Sequence, residues 1–188
     1  MLKKSAPSRI VSTSSSFAFL NTLSVKNLNF NDKRGLFIER FHSYANSKLA
    51  LIIASDILAE KLKGTGVTCN TIHPGFVATP IMPKLYSLTE NIFLNSITRL
   101  YWIFYAKVSN VVFELTLTAN FDLLQNPWEG SQTLVHVAVS KKLEKVTGKY
   151  FWDCKPFFKP PAANNKQFCK EIWKATEELV NLKPEEKL

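Results

Sequence analysis

Two short β-branched runs, one on each side of a long amphipathic segment, constrain the fold of this chain more than any other feature. The first run is residues 9–15 (RIVSTSS) and the second is residues 67–72 (VTCNTI). The segment between them, from Ser43 to just before Gly64, carries apolar residues three and four positions apart, as an amphipathic helix does. These residues are Leu49, Ile52, Ile53, Ile57 and Leu58. A strand, a helix and a strand in this order predict a βαβ unit, so the fold class is α/β with a parallel sheet.

Chemically capable residues stand at the points where the predicted strands end. Ser15 closes the first run, and a loop that starts with Pro74 and Gly75 follows the second. Tyr44 and Lys48 are four positions apart, so they share one face of the predicted helix. An ammonium group beside a phenol stabilises the phenolate, which makes such a pair a proton donor and acceptor near neutral pH. Because ligands of parallel sheets bind outside the carboxyl ends of the strands, we predict that these groups converge on one crevice.

Five pieces of the chain form a joint pattern. They are the strand at residues 9–15 that ends in serines, Tyr44-x-x-x-Lys48, residues 64–68 (GTGVT), residues 73–79 (HPGFVAT) and residues 148–155 (GKYFWDCK). Together they resemble the C-terminal half of a short-chain dehydrogenase/reductase, closest to the retinol dehydrogenase-like branch. The tyrosine–lysine spacing alone is common on solvated helix faces, so the resemblance rests on all five pieces jointly. It implies a partial Rossmann-type, doubly wound parallel sheet with flanking helices, lacking the first βαβ units. Residues 1–188 would then form a single partial domain.

The resemblance implies a role for each residue of the predicted site. Tyr44 is the general acid/base, Lys48 supports it and hydrogen-bonds the nicotinamide ribose, and Ser15 hydrogen-bonds the substrate oxygen. Ser15 and Tyr44 are thus the substrate-binding residues. The cofactor-binding residues are Tyr44, Lys48, Pro74, Gly75, Val77 and Thr79. Ser15 also has an alternative interpretation, as the cap of the following turn, and we interpret His73 as a structural residue of the loop.

The implied cofactor is a nicotinamide dinucleotide, with NADP(H) favoured over NAD(H) by resemblance only. The implied substrate is an apolar alcohol, or its aldehyde or ketone, of retinoid-, steroid- or lipid-like character. In the family, a glycine-rich phosphate-binding loop precedes the pieces found here, yet the six glycines of this chain never form G-x-x-x-G-x-G or G-x-G-x-x-G. Two functions therefore stay open: an oxidoreductase, expected of a full-length version, and a truncated, non-catalytic product unable to hold cofactor.

Composition narrows the range of partners and compartments. The 188 residues carry a net charge of +9, but the lysines are scattered without a dense basic run, so nucleic acid is the least favoured partner. Three cysteines without paired spacing argue against a disulfide framework and a zinc site. They indicate a reducing, intracellular compartment, and we expect no bound metal. Homo-oligomerisation stays open.

Contact with a membrane is a separate question. Residues 1–8 have no apolar core or cleavage site of a signal peptide, so we predict no targeting segment in this chain. Residues 93–105 are apolar, but the stretch is short and Arg99 interrupts it, which favours a substrate lid or a core-facing helix over a membrane span. Shallow contact with a membrane surface stays open. The resemblance adds the endoplasmic reticulum and the mitochondrion as membranes with which such a protein associates.

The remaining pattern predicts a polar linker at 21–41, a helix at 129–138, a strand at 148–152, a proline-rich loop at 155–162 and a final helix at 165–182. Residues 108–125 (VSNVVFELTLTANFDLLQ) have strand character where the family expects a helix, a loop and a helix. Joining residue 107 directly to residue 126 restores the turn usual in the family. We hypothesise a non-native insertion from a short retained intron, and a longer lid loop is the alternative.

Overall fold

The computed structural model describes residues 1–29, 37–77 and 125–186. The predicted lid at 93–105, Thr79 and residues 108–124 lie outside this part of the chain. The strands within it are β1 (Ser8–Thr13), β2 (Val67–His73), β3 (Tyr150–Trp152) and β4 (Lys155–Phe157). The helices within it are α1 (Phe37–Lys61), α2 (Pro127–Val139), α3 (Pro161–Asn164) and α4 (Lys166–Leu179).

The described strands form one sheet in the order β1-β2-β3-β4. β1 and β2 are parallel, with Ser8 opposite Val67 and Thr13 opposite Ile72, and β3 is parallel to β2. β4 runs antiparallel to β3. Parallel strands place their carboxyl ends at one edge, so the residues that follow β1 and β2 come side by side. The predicted α/β class with a mostly parallel sheet is confirmed.

The core lies on both faces of this sheet, because side chains alternate along each strand. On one face, buried apolar residues of α1 and α4 pack around Tyr150, which is fully buried. On the other face, Ile72 and Phe151 pack with Val137 of α2. Burial of each large side chain contributes about 1.5–3 kcal/mol. Packing on this scale holds α1 across the sheet and fixes the direction of its tyrosine–lysine face.

Two predicted boundaries are wrong at the start of α1. The helix begins at Phe37, well before Ser43, so the polar linker is shorter than 21–41 and itself contains a 3-10 helix, Val25–Asn27. Phe41 is only 6% exposed, and burial of this ring stabilises an early turn that local propensity does not demand. At its other end, α1 is followed by Gly64 with a φ of 81°, the left-handed conformation expected after a helix.

The prediction of a loop at 155–162 is also wrong, because β4 and the start of α3 lie there. Pro156 stands opposite Phe151 in the β3–β4 pair although proline lacks an N–H, which an edge strand tolerates. The connecting turn has positive φ at Asp153 (49°) and Cys154 (60°), without the glycine that usually marks such a hairpin. The hairpin therefore carries a weak sequence signal.

The chain divides into two compact units, one of Met1–Gly75 with Ser131–Leu188 and one of Phe76–Gly130. In the second unit, the Gln125 N–H donates to the carbonyl oxygen of Phe76 at 2.9 Å, and Gln125 forms a parallel bridge with Val77. Gln125, the last residue of the proposed insertion, thus has a defined partner. Among residues 1–29, 37–77 and 125–186, no helix combines the length and apolar character that crossing a membrane requires.

Candidate active site

The serines after β1 are held in place by the backbone of β2 and by a following turn. The Ser14 N–H donates to the carbonyl oxygen of Ile72 at 2.7 Å, which extends the parallel ladder by one residue beyond Thr13. Ser15 is 7% exposed and caps a 3-10 helix, Ser16–Leu20, because its Oγ accepts the Phe17 N–H at 3.2 Å. A hydroxyl that accepts one hydrogen bond still has its own proton to donate. The capping role and a substrate-binding role of Ser15 are therefore compatible.

Lys48 links Tyr44 to the end of β1. Its Nζ lies 5.4 Å from the centroid of the Tyr44 ring and donates to the carbonyl oxygen of Thr13 at 3.2 Å. In the opposite direction, the Ser14 Oγ donates to the carbonyl oxygen of Lys48 at 2.7 Å. Burial lowers the pKa of the Lys48 ammonium from its ordinary value. Helix α1 and the end of β1 thus hold each other through two reciprocal bonds at one residue.

A second polar contact joins the same two segments on the other side of the tyrosine–lysine pair. Asn46 is 2% exposed, and its Oδ1 accepts the Thr22 N–H at 2.7 Å, while its Nδ2 donates to the Thr22 Oγ1 at 3.4 Å. The same hydroxyl lies 3.3 Å from the Nδ1 of His42. Because Asn46 stands between Tyr44 and Lys48 in sequence, these bonds fix the loop after Ser15 against the helix turn that carries the pair.

Aromatic rings border the phenol of Tyr44. The Phe17 ring lies edge-to-face with Tyr44 at a centroid distance of 6.0 Å and an interplanar angle of 74°. It makes a similar contact with Phe41 at 5.3 Å and 72°. Edge-to-face packing is a favoured arrangement of aromatic pairs, and it limits the directions that the Tyr44 ring can take.

The Pro-Gly loop starts where the prediction places it. Pro74 and Gly75 follow β2 directly, at the edge where Ser14 binds Ile72. Gly75 has a φ of 87°, which a residue with a side chain rarely adopts. Of the other two predicted cofactor residues, Val77 lies in the second unit and Thr79 lies outside the described residues.

His73, the last residue of β2, is buried at 2% exposure and packs edge-to-face on Trp152, with ring centroids 4.4 Å apart. Burial lowers the pKa of the imidazole to about 4, so the ring is neutral at physiological pH. These features agree with our interpretation of His73 as a structural residue. Within the part of the chain that the structure describes, no three histidine, cysteine or acidic side chains are grouped as metal ligands would be.

Sequence reasoning missed two residues that hold the site together, Ser14 and Asn46. No local pattern indicates Ser14, because its hydroxyl binds the carbonyl oxygen of Lys48, 34 positions away in the sequence. The sequence did contain a signal for the role of Asn46, because this amide lies one turn before the buried apolar residues of the helix. Buried amides need partners, so such a position indicates a tertiary hydrogen bond.

Relatives of known class match nearly the whole chain. Retinol dehydrogenase 12 of Bos taurus is 31% identical over 183 residues, which are 97% of this chain and 48% of that protein. Dehydrogenase/reductase SDR family member 13 of Bos taurus is 32% identical over 186 residues, 98% of this chain and 43% of that protein. The chain thus matches the C-terminal half of a short-chain dehydrogenase/reductase. Retinol dehydrogenase 14 of Mus musculus is 32% identical over 182 residues, 97% of this chain and 47% of that protein.

The chain spans about half the length of the curated relatives it matches. A crystal structure of an uncharacterised protein from Mycobacterium paratuberculosis has the same fold, with a TM-score of 0.57 at 14% identity, over 93% of this chain and 50% of that one. No family model matches the chain.

Proposed function

We propose that this chain carries the proton-transfer half of an oxidoreductase that interconverts an apolar alcohol and its aldehyde or ketone. The observation that carries the proposal is the position of Lys48, which lies 5.4 Å from the Tyr44 ring and binds the backbone at the end of β1. Ser15 is two residues further along that segment. The three residue types that the family resemblance assigns to this chemistry are thus carried by two elements that Lys48 joins directly.

In the proposed reaction, Tyr44 moves the proton of the substrate oxygen. During carbonyl reduction the phenol donates its proton to that oxygen, and during alcohol oxidation the phenolate removes it. Lys48 stabilises the phenolate through its positive charge. Ser15 donates a hydrogen bond to the substrate oxygen and stabilises the charge that develops there. A nicotinamide bound beside the substrate would supply or accept the hydride.

Two features of the described residues fit the nicotinamide end of such a cofactor. Lys48 uses one of its three N–H donors on Thr13, which leaves donors for a ribose hydroxyl. Gly75, at a φ of 87°, presents backbone without a side chain just after β2. We propose Tyr44 and Pro74 as further contacts, together with Val77 and Thr79 from the continuation of the loop. The family resemblance favours NADP(H) over NAD(H).

The proposed substrate is retinoid-, steroid- or lipid-like, because two of the three curated relatives named above are retinol dehydrogenases. Contact with the surface of an intracellular membrane and formation of a homo-oligomer belong to the same proposal. The domain itself is proposed to cover residues 1–188, with 108–125 as an insertion.

Replacement of Tyr44 by Phe tests the reaction. The variant keeps the ring that packs on Phe17 but loses the hydroxyl, so kcat should fall about 10²-fold or more while the fold is retained. The measurement is nicotinamide absorbance during aldehyde reduction, on the longest open reading frame that contains this chain. Ser47→Ala, an exposed position of the same helix, is the matched control and should leave turnover unchanged. Near-normal turnover by Tyr44→Phe would contradict the assignment.

A truncated, non-catalytic product unable to hold cofactor is the second candidate. The residues proposed here contact only the nicotinamide end, and the phosphates of a dinucleotide usually rest on a glycine-rich turn and a helix N-terminus. We therefore expect the 188-residue chain alone to bind NADP(H) weakly. Calorimetric titration of that chain decides the point, and tight binding would rule out the non-catalytic candidate.

A further inference from the structure

We propose that Phe17 determines substrate specificity in this site, as an apolar wall against which the organic part of the substrate packs. The inference rests on the proposed function and adds to it one residue, Phe17, and a preference for substrates with a long apolar part. It concerns a residue outside the predicted set of Ser15, Tyr44 and Lys48.

Phe17 touches both groups that are proposed to hold the substrate oxygen. Its backbone N–H donates to the Ser15 Oγ at 3.2 Å, and its ring lies 6.0 Å from the Tyr44 ring between centroids. Phe17 is partly exposed, whereas Phe41, whose ring contacts that of Phe17 at a centroid distance of 5.3 Å, is 6% exposed. Phe17 therefore packs on a buried ring and retains accessible surface.

The position of the substrate oxygen limits where the rest of the substrate lies. Hydrogen bonds from hydroxyls to that oxygen measure about 2.7–2.8 Å, so the oxygen must contact the Ser15 and Tyr44 hydroxyls closely. The reacting carbon is one bond further away, and its substituents start beside the residues that adjoin both hydroxyls. Phe17 adjoins the Ser15 hydroxyl through its backbone N–H and the Tyr44 ring through its own ring. An aromatic ring at this position offers a large apolar surface at little cost in side-chain entropy. An apolar substituent gains from that surface, and a small one does not reach it.

Phe19 provides a matched comparison on the same 3-10 helix. Its ring packs on Phe158 at 5.3 Å and against the buried cluster around Tyr150. Loss of the Phe19 ring removes core packing but no surface beside Tyr44. If selectivity changes when Phe17 is replaced but not when Phe19 is replaced, the change is due to loss of the apolar wall and not to a general loosening of the 3-10 helix.

The experiment compares decanal with propanal in the wild-type protein and in Phe17→Ala, Phe17→Leu and Phe19→Ala. The kcat/KM for decanal divided by that for propanal should fall about tenfold or more in Phe17→Ala, because the contacts of a few methylene groups are lost. Phe17→Leu should retain most of the ratio because it keeps an apolar side chain. Phe19→Ala should lower the melting temperature and leave the ratio unchanged. An unchanged ratio in Phe17→Ala would overturn the proposal.

A second measurement separates the wall from the reaction. Calorimetric Kd values for decanol and propanol need no turnover, and Phe17→Ala should weaken decanol binding selectively. Loss of selective binding in a protein that turns over neither aldehyde would support the wall and count against the proposed reaction. Equal binding of decanol by the wild-type protein and Phe17→Ala would count against the wall whatever the turnover.

Discussion

At the scale of single residues, His73 makes the stability of the fold depend on pH. Its pKa in the folded state is about 4, against 6.5 ordinarily, because burial disfavours the imidazolium. Above pH 6.5 both states are neutral at this residue. As the pH falls from 6.5 towards 4, His73 becomes protonated in the unfolded state but stays neutral in the folded state. The free energy of unfolding therefore decreases. The total loss is on the order of 3 kcal/mol, at about 1.4 kcal/mol per pKa unit.

We therefore expect urea denaturation between pH 7 and pH 4.5 to show stability that falls with acidity in the wild-type protein, and falls much less in His73→Gln. Asp56 acts in the opposite direction, because burial raises the pKa of its carboxyl despite the bond from Lys159. An equal slope in His73→Gln and the wild-type protein would contradict the assignment to His73.

The β3–β4 turn stores backbone strain at Cys154. Its φ of 60° is left-handed, and this conformation costs a non-glycine residue about 1–2 kcal/mol. Cys154→Gly should relieve that cost, partly offset by the greater freedom of glycine in the unfolded chain, for a net gain of about 0.5–1 kcal/mol. The bond from the backbone N–H at position 154 to the Thr133 Oγ1, 3.2 Å long, is retained.

Cys154→Ala is the matched control for this turn, since it removes the same thiol but not the strain. Denaturant unfolding should rank the glycine variant above both the wild-type protein and the alanine variant. A gain shared equally by alanine and glycine would place the effect in the thiol instead of the backbone.

At the scale of elements, α1 is joined to the segment after β1 by polar bonds that local sequence does not specify. Asn46→Ala removes both bonds to Thr22, which should cost about 1–3 kcal/mol at about 0.5–1.5 kcal/mol for each hydrogen bond. Hydrogen exchange of the Thr22 amide should also become faster. Asn21→Ala is the control, because among the described residues the Asn21 amide donates to the nearby carbonyl oxygen of Ala18 and not to α1. Equal losses in the two variants would show that Asn46 does not join the two elements.

Arg9 acts on a different pair of elements. Its Nη1 and Nη2 donate to the carbonyl oxygens of Val137 and Ser140 at 2.9 and 2.8 Å, at the C-terminal end of α2. The guanidinium satisfies carbonyls that a helix end leaves without partners, and its charge is favourable at the negative end of the helix dipole. One side chain of β1 thus fixes the end of α2 on the face of the sheet opposite α1.

At the scale of the whole molecule, the proposed insertion is the feature that stability measurements can decide. Residues 111–118 (VVFELTLT) have the composition of a strand that pairs with other chains when exposed. If the segment has no evolved packing partner, deletion of 108–124 should raise the soluble yield and leave the melting temperature unchanged or higher. This deletion keeps Gln125, whose N–H binds the Phe76 carbonyl oxygen. If the segment is instead a lid loop that packs on the domain, its deletion should lower the melting temperature of the protein.

The sequence by itself determined the order of β1, α1 and β2 and the residue types that lie at the candidate site. The β-branched runs at β1 and β2 and the apolar periodicity of α1 are local patterns, and each element buries the face that its own residues define. The tyrosine–lysine spacing likewise follows from the helix repeat alone. Four positions on a helix bring two side chains together in any fold.

Only the tertiary structure decided which residues hold these groups in place. Ser14 binds Lys48, Asn46 binds Thr22, and Phe17 packs on Tyr44, and each of these pairs is more than twenty positions apart in the sequence. β4 likewise depends on β3 for its hydrogen bonds, because Pro156 and a turn without glycine give it little local preference. Such contacts form because the parallel sheet aligns the ends of distant strands, and no local pattern records that alignment.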